Sequence, residues 1–169
     1  TEEYLKTFGE LQNKYDISLL INNIGTDHFD DFEDLPLEDI SKEVILNICP
    51  QAYMTKIFWK KIKERSFDFE GNSTKKSNGK RSAIINMSSF AGDFPFPMKT
   101  VYAATKAFDH FFTIGLQNEV KDSYVDFLSV KPLEVATPLT GTEPDGIFIV
   151  STEQCVNSVI NDLGYESET

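Results

Sequence analysis

The spacing of apolar and polar positions changes period several times along this chain, and each change predicts an element. From Glu3 to Lys14 the apolar residues Tyr4, Leu5, Phe8 and Leu11 recur at intervals of three and four, which places them on one helical face. Ile17-Ser18-Leu19-Leu20-Ile21 follows, short and apolar enough for a strand buried on both sides. An acidic loop from Thr26 to Asp34 leads to Pro36, which suits the first turn of a long helix over about Leu37 to Lys63. Pro50 lies inside that helix and is expected to kink it, because a backbone hydrogen bond is lost there. Phe67 to Lys80, rich in Gly, Asn, Ser and Lys, reads as a polar, mobile surface loop. Ser82 to Met87 and Val125 to Val130 are two further strands, with a helix from Thr100 to Lys121 between them. Ser151 or Thr152 can cap a last helix that ends near Gly164. Strands alternating with helices make this an α/β chain with a parallel sheet covered on both faces, in one domain over residues 1–169.

Composition narrows the function. A chain of 169 residues, 40% hydrophobic and 12% aromatic, can bury a core. Its formal net charge of −11 repels phosphate backbones and anionic membrane surfaces, so neither nucleic acid nor a membrane is expected as a partner of this segment. Cys49 and Cys155 stand apart, with no CxxC pair and no Cys/His ligand spacing; two free thiols in a reducing compartment and no metal site are expected. No apolar run approaches the roughly 20 residues of a membrane-spanning helix. His28, among Asp27, Asp30 and Asp31, reads as part of a solvated charged loop before it reads as a cation ligand.

The candidate chemistry is concentrated around the helix that begins near Thr100. Tyr102 and Lys106 lie four apart, so phenol and ammonium share a face one turn apart. A free tyrosine ionises near pH 10, and a cation beside it makes it a usable acid at neutral pH. His110 lies two turns along the same helix and reads as a surface or subunit-contact residue. Phe108, Phe111 and Phe112 read as packing. Ser89 follows the second strand, and Asn22-Asn23-Ile24-Gly25 closes the first; ligands gather at such carboxyl ends of α/β strands.

Taken in order, NNxG at Asn22 to Gly25, Asn47, Ser89 and Tyr102-Ala-Ala-Thr-Lys106 resemble the pattern of the short-chain dehydrogenase/reductase family, over roughly Tyr15 to Gly164. The resemblance implies a Rossmann-like fold with about three of seven strands of a partial doubly wound sheet, and an NAD(P)(H)-dependent reduction of a carbonyl to an alcohol. It implies Tyr102 as proton donor and Lys106 as the group that lowers its pKa and holds the nicotinamide ribose. Ser89 would hold the substrate oxygen, and Asn47 would distort its helix and keep a water in a proton relay. Asn22, Asn23 and Gly25 would border the adenosine ribose, although Asn23 serves equally as a strand-closing residue. Pro132 and Thr137 lie in a segment similar to the family's proline-containing stretch, with Thr137 against the carboxamide; Leu133 stands where the family usually has glycine. That bulky residue, Asn86-Met-Ser-Ser and Phe94-Pro-Phe-Pro97 resemble the very-long-chain 3-oxoacyl-CoA reductase and 17-beta-hydroxysteroid dehydrogenase type 12 branch. The branch implies an acyl-CoA or steroid ketone as substrate, NADP(H) ahead of NAD(H), and the cytosolic face of the endoplasmic reticulum for the parent protein.

The family's opening strand and glycine-rich TGxxxGxG turn have no counterpart here, since the only glycines before residue 71 are Gly9 and Gly25. The chain is therefore expected to be a fragment whose first strand shows an unpaired edge that favours association with further copies. The alternative is a truncated family member that no longer catalyses and acts as an interaction or regulatory protein.

Overall fold

The structure, a computed structural model, describes residues 2–65, 67–70, 74–77, 80–120, 125–145 and 147–169. The helix expected from Glu3 to Lys14 is two pieces, α1 (Glu2–Phe8) and α2 (Leu11–Lys14), divided at Gly9, a poor helix former. β1 (Leu19–Asn22) follows. α3 (Leu37–Arg65) runs as one helix through Pro50, which does not end it. Its first turn carries Glu38 and Asp39 and its last Lys63 and Arg65, each sign at the end the helix dipole favours.

β2 (Phe67–Glu70) and β3 (Thr74–Ser77) pair antiparallel, with Phe67 opposite Ser77. The stretch expected to be a surface loop is thus largely a two-stranded ribbon. The alternation Phe67-Asp68-Phe69-Glu70 is the strand signal, and the neighbouring turn residues outweighed it. Residues 71–73 and 78–79 of that segment lie outside the described residues. β4 (Ser82–Met87) leads through a 3-10 turn (Phe90–Asp93) to α4 (Thr100–Glu119), and β5 (Val125–Val130) follows. β6 (Glu134–Val135) and β7 (Ile149–Val150) form a short parallel pair in the proline-bearing segment. α5 (Thr152–Asp162) starts at Ser151, whose hydroxyl accepts from Gln154 N while the Gln154 side chain accepts from Ser151 N.

The central sheet is parallel, in the order β1-β4-β5, with Asn22 beside Asn86 and Asn86 beside Ser129. α3 and α4 cover one face. Leu20, Ile84, Val125 and Phe127 pack there against Ile57, Phe58 and Ile62 of α3. α5 covers part of the other face, where Val159 and Leu163 meet Ile85, Leu128 and Val130. β1 was expected to be buried on both sides and is not: Leu20 and Asn22 are buried, but Leu19 and Ile21 are 43% and 54% exposed, because nothing described packs on that face of the edge strand. The outer edge of β5 is paired by the chain's own end, with Ser129 N donating to Ser167 O and Thr169 N to Ser129 O.

Candidate active site

All three sheet strands end on one side of the molecule, and the segments that leave them surround an open cleft of about 600 Å³. Ser88 and Ser89 come directly after β4, and Tyr102 and Lys106 from the first turns of α4. Asn23 and Gly25 follow β1, and Pro132, Leu133 and Thr137 follow β5. The helical spacing and the strand-end positions read from the sequence therefore meet in space. Phe29, Phe90, Phe96, Leu133 and Leu139 give the cleft apolar walls.

The two serines are not equivalent. Ser88 Oγ donates to Lys106 O at 2.7 Å, which fixes β4 against α4 and occupies its proton. Ser89 Oγ accepts from Ala91 N at 3.2 Å, which caps the 3-10 turn and leaves its own proton unassigned. The turn itself approaches α4 closely. A Cβ on Gly92 would lie 2.7 Å from the Lys106 carbonyl carbon and 2.8 Å from Ala107 N, so only glycine fits there. Gly92 carries no functional signal in the sequence, because a lone glycine after a strand is ordinarily a turn residue.

Lys106 is 5% exposed, and its ammonium donates to Met87 O at 2.7 Å and to Asp109 Oδ2 at 3.2 Å. An ammonium has three N–H donors, so one remains for a group in the cleft. A Cβ on Gly25 would lie 3.3 Å from Asn47 Oδ1 and 3.5 Å from Lys106 Nζ; the glycine leaves the floor beside Lys106 open. A free donor beside an open backbone fits a sugar hydroxyl of a nicotinamide nucleotide. No glycine-rich turn for its pyrophosphate is present among the described residues.

Asn47 is fully buried and acts as a clamp. Its Nδ2 donates to Thr26 O and to Thr105 Oγ1, both at 2.9 Å, and its Oδ1 accepts from Thr26 N at 2.8 Å. It ties the loop after β1 to α4. Asn22 does not reach the cleft: its amide donates inward to Asn86 Oδ1 at 2.8 Å and to Thr55 Oγ1 at 3.2 Å. Asn86 continues to Thr113 Oγ1 at 2.7 Å, a buried amide chain that rivets β1, β4, α3 and α4 together.

The electrostatics differ from what the resemblance implies. The Tyr102 phenol is shifted upward from its ordinary value, chiefly by burial; a hydrogen bond from the Ser89 hydroxyl opposes this, and the charges of Asp27, Asp109 and Glu43 add to the rise. Lys106 Nζ stands 5.7 Å from the Tyr102 ring centroid, held by Met87 and Asp109. Lys99 lies 5.3 Å from the same ring but pairs with Asp27 at 2.5 Å. Asp109 was not singled out from the sequence, although it is seven residues after Tyr102 and three after Lys106, on their face of α4.

Neither histidine lines the cleft. His28 is not in a freely solvated loop: its Nε2 is 3.4 Å from Asp39 and its Nδ1 3.8 Å from the buried Glu43, both on α3. Burial raises the Glu43 carboxyl, opposed by His28. His110 turns away from the cleft, toward Ser129 Oγ at 3.1 Å and Glu168 at 3.7 Å. Leu133 takes no left-handed backbone, so the missing glycine leaves the path intact; Met98, with φ 64°, is the non-glycine residue in that region among those described. Cys49 and Cys155 are free, and no cluster of three metal-binding side chains occurs among the described residues.

A family model described as short chain dehydrogenase matches residues 2–146. The very-long-chain 3-oxoacyl-CoA reductase of Anas platyrhynchos is 30% identical over 184 aligned residues, covering 100% of this chain and 54% of its own length. The Homo sapiens protein of the same name is 33% identical over 158 residues, 91% of this chain and 46% of its own. The chain thus spans about half the length of the curated relatives it matches. Among solved structures, the closed form of serine dehydrogenase complexed with NADP+ has a TM-score of 0.74 at 21% identity, covering 92% of this chain and 64% of that one. The bulky-bulky ketone specific alcohol dehydrogenase from Comamonas testosteroni has 0.75 at 21%, covering 96% and 57%. At that identity the likeness speaks for the parallel-sheet fold.

Proposed function

Because the chain belongs to the short-chain dehydrogenase family, we propose that it carries the proton-transfer part of a nicotinamide-nucleotide-dependent oxidoreductase that reduces a ketone to an alcohol. The observation that supports this reading is the convergence of Ser89, Tyr102 and Lys106 on one cleft, with a hydroxyl, a phenol and a free ammonium donor. Tyr102 donates its proton to the carbonyl oxygen, which Ser89 holds by a hydrogen bond. Lys106 offers its third N–H to the nucleotide ribose, and Asn47 keeps the Thr26 loop and α4 in register around it. Asn23, Gly25, Pro132 and Thr137 border the nucleotide, whereas Asn22 serves from behind the wall. When bound, the reduced nicotinamide supplies the hydride.

The apolar walls favour a ketone on a long acyl chain or a steroid, and the curated relatives act, by name, on very-long-chain 3-oxoacyl-CoA. NADP(H) is proposed ahead of NAD(H), at the cytosolic face of the endoplasmic reticulum. Among the described residues no helix is long and apolar enough to cross a membrane. The rival reading, an interaction protein without turnover, draws on one observation, the phenol shifted away from neutral pH.

The test is reduction of a long-chain 3-oxoacyl-CoA by the full-length protein with NADPH. Tyr102→Phe removes one proton and almost no volume, and the loss of general acid catalysis should lower turnover by roughly 10² to 10⁴. A variant that keeps more than about a tenth of the wild-type rate refutes the role. Wild-type protein that binds nucleotide but reduces no ketone favours the rival.

A further inference from the structure

One buried group in this region has no part in the proposed reaction. Asp109 is wholly buried between α4 and α3, and its Oδ2 accepts from Lys106 Nζ at 3.2 Å. Its Oδ1 has no hydrogen-bond partner. Across the helix contact stands Gln51 of α3, 1% exposed, whose Nε2 and Oε1 are also without partners. The amide is near enough to favour the charged carboxylate but is not in bonding geometry. A carboxylate and an amide buried side by side with unmet valences are costly in a helix interface. An aliphatic pair would pack there at no such cost.

We propose that Asp109 is a positioning residue for the Tyr102–Lys106 pair: as the buried counter-ion of Lys106 it holds the ammonium toward the α3–α4 interface and offsets its field at the phenol, so that the charge on Asp109 sets the acidity of Tyr102. The geometry makes this direct. Lys106 Nζ stands 3.2 Å from the Asp109 carboxylate and 5.7 Å from the centroid of the Tyr102 ring. The charge of Asp109 itself also raises the Tyr102 phenol.

The charged and titratable groups around Asp109 leave Lys106 as its principal partner. On α4 these are Lys106 and Tyr102, while His110 points to Ser129 and Glu168. On α3 the facing residue is the neutral Gln51, and Glu43 is turned to His28. β4 contributes only the Met87 carbonyl, and in the loop after β1 Asp27 is paired with Lys99. Burial pushes the Asp109 carboxyl up to about 7, against the opposing charge of Lys106. Below that pH the acid is neutral and Lys106 acts undiminished on the phenol. Above it the carboxylate counters the cation and the phenol becomes a weaker acid. The device therefore grades proton donation across neutrality.

The inference takes Tyr102 as the proton donor of the preceding reading, but its test follows ionisation and not turnover, so the two can fail separately. The protein, labelled with ¹³C at Tyr Cζ, Lys Cε and Asp Cγ, is titrated by NMR; Tyr102→Phe, Lys106→Arg and Asp109→Asn identify the resonances. In the wild type, Lys106 Cε should show an inflection near pH 7 that coincides with the Asp109 Cγ titration. In Asp109→Asn that inflection should vanish, and ionisation of the Tyr102 phenol should begin about one pH unit lower, as loss of a unit charge at this range implies. Asp109→Glu should restore the wild-type curve. A Tyr102 onset unchanged within about 0.3 unit in a folded Asp109→Asn protein overturns the proposal. Should that variant fail to fold, a wild-type Lys106 Cε signal that stays flat between about pH 5.5 and 8.5 overturns it as well.

Discussion

Replacing Gly92 by alanine tests whether the cleft depends on the approach of the 3-10 turn to α4. The new methyl would lie 2.7 Å from the Lys106 carbonyl carbon, 2.8 Å from Ala107 N and 3.0 Å from Lys106 O. All three atoms are backbone in the middle of a hydrogen-bonded helix, so no side chain can rotate to make room. The turn must retreat by several tenths of an ångström. Overpacking of this kind costs about 1 to 3 kcal/mol. For a chain of this size each kcal/mol lowers Tm by roughly 2 to 4 °C, which gives a fall of about 2 to 12 °C. Ser89 caps the same turn and Ser88 bonds the same Lys106 carbonyl, so the retreat also misplaces the hydroxyls against Tyr102. A misplacement near 1 Å can cost about 10²-fold in rate. Thermal unfolding followed by circular dichroism gives the first number, and ketone reduction by the full-length protein gives the second. A Gly92→Ala protein whose Tm stays within about 1 °C of wild type would show that the turn is not packed against α4 as described.

The two serines should separate by function. Ser89→Ala should lower turnover severely with little loss of stability, whereas Ser88→Ala, which breaks the bond to Lys106 O, should cost about 0.5 to 1.5 kcal/mol and spare much of the rate; the reverse ranking would assign the substrate contact to Ser88. The 169 residues alone should bind neither NADPH nor NADH with ordinary affinity, since the grip that a glycine-rich turn gives to pyrophosphate is absent from their sequence. Calorimetric titration of the monodisperse chain that gave low-micromolar binding would show a phosphate site built from other residues.

What the sequence disclosed and what it hid follow from the same rule of periodicity. Strands Ser82–Met87 and Val125–Val130 and helix Thr100–Glu119 stand where the patterns placed them, because each satisfies one period over its whole length. The cleft residues Ser89, Tyr102, Lys106, Gly25 and Thr137 were legible for a different reason: strand ends and helix first turns converge in an α/β sheet whatever the packing detail. Asn22 departs from that logic. It lies at a strand end, but the two-residue alternation of β1 turns it to the α3 side with Leu20, while Asn23 and Gly25 of the same motif line the cleft.

The polar core was the part that periodicity conceals. Glu43, Asn47, Gln51 and Thr55 follow one another at intervals of four on α3, and Thr105, Asp109 and Thr113 do so on α4; every one is buried. Read as a hydrophobic pattern, such rows mark a solvated face, and they are instead the seam where the two helices meet. Most of the seam is satisfied: Asn47 by Thr26 and Thr105, Asn22 by Thr55 and Asn86, and Asn86 by Thr113. The unmet valences fall at Gln51, Asp109 and the His28–Glu43 contact, and the first two stand directly behind Lys106. Stability alone would select an aliphatic pair there, since replacing buried charge by well-packed apolar groups is often neutral or favourable. A seam that is polar where it is costly, and costly where it touches the buried lysine of the cleft, is more economically explained by what it does to that lysine than by what it does for the fold.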